Sequence, residues 1–366
     1  MAQRPTIKDV ADDAGVSLAT VSLVLNGRVG VGLETRQRVQ QAIENLGYRR
    51  RGQRLAIGLL IERLPVPVAA DPLVSLMLHG VEVEASRQGY HVLLASIERG
   101  ATQLPAMVTE QQVGGLVVVG GGDISDSYIR AVAATGLPLV LVDNYVDGLA
   151  VPCVLGDNVT GGYLATRHLI ERGHTRIALL EGPRKYKTLM ERREGYLRAL
   201  DEANLPIDPG LMVKPLHIGP RKGYHETRGL LALLPRQRPT AIFAISDKAA
   251  LGALAAVKDA GLQTPDDIAL VGFDDLSDSE QVTPSLTTVR LPAHAMGETA
   301  VDRLVNLMEG SDARPSKIVL YTELVVRQSS VATSDSRLSP GLTTEGKGGE
   351  DVPDALLIVG NEGMRR

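Results

Sequence analysis

Two groups of residues carry chemistry in this sequence, and they lie far apart. The first runs Ser17-Leu18-Ala19-Thr20-Val21-Ser22-Leu23, with Asn26 just behind, directly after an Ala-Gly-Val turn at 14–16. Short hydroxyl and amide donors at this spacing suit phosphate oxygens, and the backbone N–H groups of a helix beginning at Ser17 add to them. Arg49, Arg50, Arg51 and Arg54 follow in RRRGQR (49–54). Such a cluster can hold phosphates or enter a narrow minor groove, and reads equally well as a solvated linker. The second group is Arg192, Asp247, Asp274 and Asp275. Asp247 comes after the apolar run AIFAI (241–245), Asp274 and Asp275 after IALVGF (268–273), and Arg192 sits after LLEGPRKYKTL. A guanidinium facing carboxylates brackets a polyol, donating to one hydroxyl and accepting from the next. Asp247 also reads as a helix N-cap, and Asp275 as a cap or turn residue.

The first group needs short helices to position it. Thr6 caps a helix with Asp9 three residues on, and Ile7, Val10, Ala11 and Ala14 form one apolar stripe. Gly15 permits the turn, Val16 plugs the core beneath it, and Ser17 caps a second helix with Val21, Val24 and Leu25 inward. Asn26-Gly27 ends that helix. A third spans about Leu33–Leu46, with Val39, Ala42, Ile43 and Leu46 on one face. Two helices about such a turn form a helix-turn-helix, whose second helix enters the DNA major groove. Leu18, Ala19, Ser22 and Leu23 then point outward toward base edges. A three-helix protein-interaction bundle is the alternative.

The second group needs strand ends. Apolar runs at 55–61, 91–97, 115–119, 139–143, 176–181, 241–245 and 268–273 alternate with amphipathic helices near 73–88, 160–172, 187–203 and 248–260. That alternation predicts an α/β protein with parallel sheets covered on both faces. About 270 residues of it exceed one ordinary domain and imply two lobes. From Ser334 the chain turns rich in Gly, Ser, Thr and acids, which predicts a disordered tail (334–366) with one apolar patch, DALLIVG (354–360).

Charge separates the same regions. Residues 1–54 hold nine Lys/Arg against five acids, whereas the rest of the chain carries a net −8 within a total of −4. A basic head on an acidic body points to a polyanionic partner. One cysteine, Cys153, excludes a disulfide framework and a Cys-rich zinc site. No metal or cofactor is expected. No stretch approaches the ~18 apolar residues of a membrane span, so no membrane partner is expected. The opening MAQRPTIKDVADD lacks the apolar run of a secretory leader, and a cytoplasmic protein is the expectation.

TIKDVADDAGVSLATVSLVLNG (6–27) and TRQRVQQAIENLGY (35–48) resemble the opening of the lactose-repressor (LacI/GalR) family of bacterial transcription regulators. The likeness resumes at 157–183, 192–200, 238–254, 265–275 and 283–292, covering about residues 5–330. The resemblance implies a helix-turn-helix head (1–48) that binds pseudo-palindromic operator DNA as part of a homodimer. It also implies a body (55–333) like periplasmic sugar-binding proteins, with a small effector in the inter-lobe cleft. The lobes it implies are 55–156 with 286–318, and 157–285 with 319–333. By motif position Leu18, Ala19, Ser22 and Leu23 face bases. Thr20, Asn26 and Thr35 match phosphate contacts, and Ile7 starts the first helix against DNA. Arg192, Ser246 or Asp247, and Asp274 match positions that touch the effector, Ser246 standing where many members have Asn.

Two departures matter. Leu23 stands where many members carry Arg, so the bidentate bond to guanine gives way to apolar contact and DNA shape. RRRGQR is also too short for the family's usual hinge helix with its minor-groove leucine. Aromatic platforms are scarce: there is no Trp, Phe243 and Phe273 are the only Phe, and His217 and Ile218 stand where relatives place a ring. Tyr145 and Tyr186 are the substitutes. That scarcity argues against a purine or a tightly stacked pyranose; a sugar or sugar phosphate is the expected effector, with the Arg-Lys pair at 184–185 leaving an anionic one open. Two rivals are weaker. A nucleotide-binding enzyme using VGGGD (119–123) lacks a phosphate-loop lysine, and a hydrolase using Ser246-Asp247 with a histidine lacks a nucleophile elbow. A transport-type sugar-binding protein does not account for the basic head.

Overall fold

Thr6 opens the first helix by a reciprocal cap. Its hydroxyl accepts from the Asp9 N–H at 3.3 Å while the Asp9 carboxylate accepts from the Thr6 N–H at 2.6 Å. Those backbone and side-chain bonds from Thr6 hold the Asp9 carboxyl below its usual range. The computed structural model describes residues 6–25, 31–46, 56–63, 71–120, 124–215, 223–311 and 314–331. They fall in two units divided between Leu55 and Ala56. Asn26, Arg49, Arg50, Arg51, Arg54, residues 121–123, His217, Ile218 and the 334–366 tail lie outside the described residues.

In the first unit α1 (Ile7–Ala14), α2 (Leu18–Leu25) and α3 (Leu33–Leu46) enclose Val10, Ala11, Ala14, Val21, Val24, Val39 and Ala42. Val16 and Ile43 pack against this core, as does Ile7. Gly15 takes the left-handed turn at φ 64°, and Arg38 from α3 donates to the Ala14 and Gly15 carbonyls, fastening the turn to the third helix.

From Ala56 the second unit alternates strand and helix. β1 (Ala56–Glu62), α4 (Pro72–Arg87), β2 (Val92–Ile97), α5 (Ala106–Thr109), β3 (Val113–Val119), α6 (Asp126–Ala133), β4 (Leu139–Val142) and β5 (Cys153–Gly156) build one lobe. The other lobe starts with α7 (Asn158–Glu171), β6 (Ile177–Leu180), α8 (Lys187–Glu202), β7 (Met212–Val213) and α9 (Tyr224–Leu231). It continues through β8 (Ala241–Ala244), α10 (Asp247–Asp259), β9 (Ala269–Asp274), α11 (Ser277–Gln281) and β10 (Thr287–Arg290). The chain then returns to the first lobe for α12 (Ala293–Glu309) and β11 (Lys317–Leu320), and ends in the second with β12 (Glu323–Val325).

The sheets run β11-β5-β4-β3-β1-β2 and β12-β10-β9-β8-β6-β7. Every neighbouring pair is parallel except β10–β12. Strands β3, β4, β8 and β9 are buried along their whole length, as sheets covered on both faces require.

One lobe boundary needs correction. Residues 287–290 form β10 beside β9, so they belong to the second lobe and not, as the sequence implied, to the first. The chain crosses at 291–292 instead. Likewise β11 stays with the first lobe through Leu320. Strands of four residues, β10 half of them threonine, carry too little apolar pattern to be assigned from sequence.

Candidate functional site

At the head, Ser17 caps α2: its Oγ accepts from the Thr20 N–H at 3.1 Å and lies 2.9 Å from Thr20 Oγ1. Leu18 is 49% exposed and Leu23 40%, although both are apolar; Ala19 is exposed and Ser22 half-buried. The outward face of α2 thus combines methyl-rich side chains with hydroxyls. Thr35 is half-buried in the first turn of α3, and Ile7 is half-buried against the head core. Leu33, which sequence reasoning did not single out, is 75% exposed at the start of α3.

In the body, helices α7 and α8 cross closely because glycines meet there. A Cβ on Gly162 would fall 2.1 Å from the Arg192 carbonyl oxygen, and one on Gly195 would fall 2.1 Å from the Val159 carbonyl oxygen. This approach drives Arg192 into the interior, where it is 2% exposed. Its Nε donates to Asn158 Oδ1 at 2.9 Å, and its Nη1 donates to the Ile245 carbonyl at 2.9 Å and Asp274 Oδ1 at 2.8 Å. The guanidinium also lies 3.7 Å from the Phe273 ring centroid, so Phe273 is a platform for Arg192. Phe243 is buried in the core.

Asp274 ends β9 with φ 118°, and Asp143 follows β4 with φ 56°. Left-handed backbone at non-glycine residues is strained and clusters at ligand sites. Asp143 is the residue that sequence reasoning missed. Its Oδ1 is buried with no hydrogen-bond partner among the described residues. Burial pushes its carboxyl up to about 7, opposed by the positive charge of Arg192 and reinforced by Asp274, Glu191 and Glu62. Glu191 accepts from Asn158 Nδ2 at 3.3 Å, and Glu62 accepts from the Tyr186 hydroxyl at 3.4 Å. The signal was present, since the run LVLVD (139–143) ends on an aspartate as the β9 run does.

Asp247 and Asp274 differ in fate. Asp247 is fully buried and accepts from Thr288 Oγ1 at 2.6 Å, Ser279 Oγ at 2.7 Å and the Leu276 N–H at 2.9 Å. Burial, then the negative charge of Asp274, raises its carboxyl to about 7. It ties α10 to α11 and β10 rather than capping its own helix; the N-cap is Ser246, in extended conformation. Asp275 is an ion-pair hub for Arg290 and Arg327, both at 2.8 Å. Tyr145 faces two lysine ammoniums, Lys317 at 4.3 Å and Lys187 at 5.1 Å from its ring centroid.

The hydrolase arrangement is not assembled. His168 Nε2 lies 2.8 Å from Ser330 Oγ and His174 Nδ1 lies 3.0 Å from Thr240 Oγ1, while Asp247 bonds to Leu276, Ser279 and Thr288. Among the described residues no cluster of three metal-ligating side chains occurs, and no helix is long and apolar enough to cross a membrane.

The profile for bacterial regulatory proteins of the lacI family matches residues 6–51, and that for a periplasmic binding protein-like domain matches 166–330. The HTH-type transcriptional regulator MalR of Streptomyces coelicolor is 34% identical over 343 residues, covering 91% of this chain and 99% of that protein. The chain belongs to the LacI family. A second LacI-family relative, the HTH-type transcriptional repressor PurR of Histophilus somni, is 32% identical over 335 residues, 88% of this chain and 98% of its own. Among solved structures, a CelR–cellobiose complex superposes with a TM-score of 0.68 at 32% identity, covering 89% of this chain and all of the other. The lac repressor dimer bound to operator and the anti-inducer ONPF gives 0.66 at 28% identity over 90% of this chain and all of the other. As a LacI-family member the chain is a DNA-binding transcription regulator with a small-molecule effector.

Proposed function

We propose that this regulator is a cytoplasmic, non-enzymatic repressor that binds a pseudo-palindromic operator as a homodimer and answers to a neutral sugar held between its lobes. The observation that carries the effector reading is the pairing of two strand-end aspartates, Asp143 and Asp274, with Arg192 between them in charge. Carboxylates accept from hydroxyls and the guanidinium donates to them, so a polyol is matched on both counts. An anionic effector would face the negative charges of Glu62 and Glu191, which disfavours it. Asp247 is a packing residue in this reading and makes no effector contact.

At the operator, Leu18, Ala19, Ser22 and Leu23 present the base-facing surface and Ser17, Thr20 and Thr35 the phosphate-facing one. Ile7 starts α1 beside the DNA, and Asn26, Arg49, Arg50, Arg51 and Arg54 add further backbone contacts. Leu23 packs on a thymine methyl. The second copy covers exposed apolar side chains of α4 and of the edge strand β2, Leu76, Val83 and Leu94 among them.

Selection from random duplexes at moderate ionic strength, with and without a sugar library, tests the whole reading. A two-fold symmetric site whose occupancy shifts with one sugar is the expected outcome. Leu23→Arg changes the preferred base at one position of each half-site. No preference among duplexes under any condition rejects the proposal.

A further inference from the structure

We infer that Lys187 and Lys248 are positioning residues that hold the two lobes closed over the cleft in the absence of effector; this rests on the cleft reading above. Lys248, Lys187 and Tyr186 reach from the second lobe to the first. Lys248, in the first turn of α10, donates to Asp71 Oδ2 at 2.6 Å, and Asp71 is itself the N-cap of α4, its Oδ1 accepting from the Val74 N–H at 3.3 Å. Lys187, the first residue of α8, donates to the Tyr145 carbonyl at 2.9 Å and Asp126 Oδ2 at 3.2 Å, with Asp147 at 3.4 Å. Between them the Tyr186 hydroxyl reaches Glu62.

The placement makes these ties effective. Helix α4 follows β1, whereas Tyr145 and Asp147 follow β4, two places away in the same sheet. Two separated ties resist twisting as well as opening. Lys187 also lies on the helix that carries Arg192, five residues before it. Opening the cleft therefore breaks both ties and withdraws the second-lobe half of the site from Asp143 and Glu62. The pairs are partly exposed, Lys248 by 46% and Lys187 by 25% of the side chain, so salt weakens them. An ion pair of this kind shifts an equilibrium roughly two- to five-fold. Acting together, the two set an opening equilibrium roughly ten-fold toward closed, and effector exchange waits on that opening.

Hydrogen exchange by mass spectrometry on the full chain, without ligand, tests this. The proteins are wild type, the double variant Lys187→Met/Lys248→Met, and Lys187→Arg/Lys248→Arg, each in 20 mM and 500 mM NaCl. At low salt the Met variant should exchange about ten-fold faster over 143–147 and 186–192, with the core strands 177–180 and 241–244 unchanged. The Arg variant should stay within about two-fold of wild type, and wild type at high salt should move toward the Met variant. Equal exchange in wild type and Met variant overturns the inference, as does a wild type indifferent to salt. Should the Met variant not fold, the wild-type salt series decides alone. Operator binding by the same preparations reports separately on the regulator reading, so failure of one leaves the other standing.

Discussion

The two lobes share one architecture and divide the candidate site unequally. The second lobe supplies a finished ion pair: Arg192 already donates to Asp274, to Asn158 and to the Ile245 carbonyl. The first lobe supplies Asp143, whose buried oxygen has no partner among the described residues. Both aspartates stand at strand ends in left-handed backbone. One carboxylate is stabilised by the protein itself and the other is left in want of a donor. A ligand hydroxyl meeting Asp143 would satisfy an acceptor that the fold leaves buried and unpaired, which favours the closed lobes with ligand inside.

The largest effect should come from breaking the finished side. Arg192→Met leaves Asp274 buried without its cation and should destabilise the body by about 3–5 kcal/mol, read by urea unfolding. A loss below ~1 kcal/mol would mean the pair is solvated. Next, Asp247→Ala removes three hydrogen bonds within the same lobe and should cost about 1–3 kcal/mol. Its effector half-saturation should stay within about two-fold of wild type, because the carboxylate serves packing; a ten-fold loss in a folded variant would return Asp247 to the cleft.

Asp143→Asn sharpens the contrast from the other side. The unfolded chain loses this proton in the ordinary carboxylate range, whereas the folded chain retains it to about 7. Between those limits wild type therefore loses stability as pH rises. The Asn variant escapes that loss, so its thermal midpoint should exceed that of wild type, by a margin that grows from pH 4 to about pH 7 and then levels. A constant margin across that range would show that Asp143 is not held protonated. The smallest effect belongs to the surface: Leu94→Arg on β2 should leave the melting temperature within a few degrees while shifting the protein from dimer to monomer in sedimentation.

What could be read from the sequence follows from how local each feature is. The Thr6–Asp9 cap, the Gly15 turn and the α2 face depend on residues within one turn of each other, and the sequence displays them. Asp274 stands at a strand end, where the apolar run IALVGF shows it, and Arg192 of α8 meets it there. Asp247 obeys the same rule yet turns inward, because Leu276, Ser279 and Thr288 reach it from about thirty to forty residues downstream, a meeting no local pattern shows. Asp143 was visible in LVLVD, but its want of a partner is a property of the assembled lobes. The crossing at 291–292 was misplaced because β10 is four residues long and half threonine.

The central claim is that the head's grip on DNA answers to a neutral molecule enclosed between Asp143 and the Arg192–Asp274 pair. Operator affinity measured for wild type and Asp143→Asn, across a library of uncharged sugars, tests it most directly. At least one sugar should shift the wild-type operator Kd by about ten-fold or more and leave the Asn variant nearly unmoved. A library that moves neither protein, or moves both equally, contradicts it.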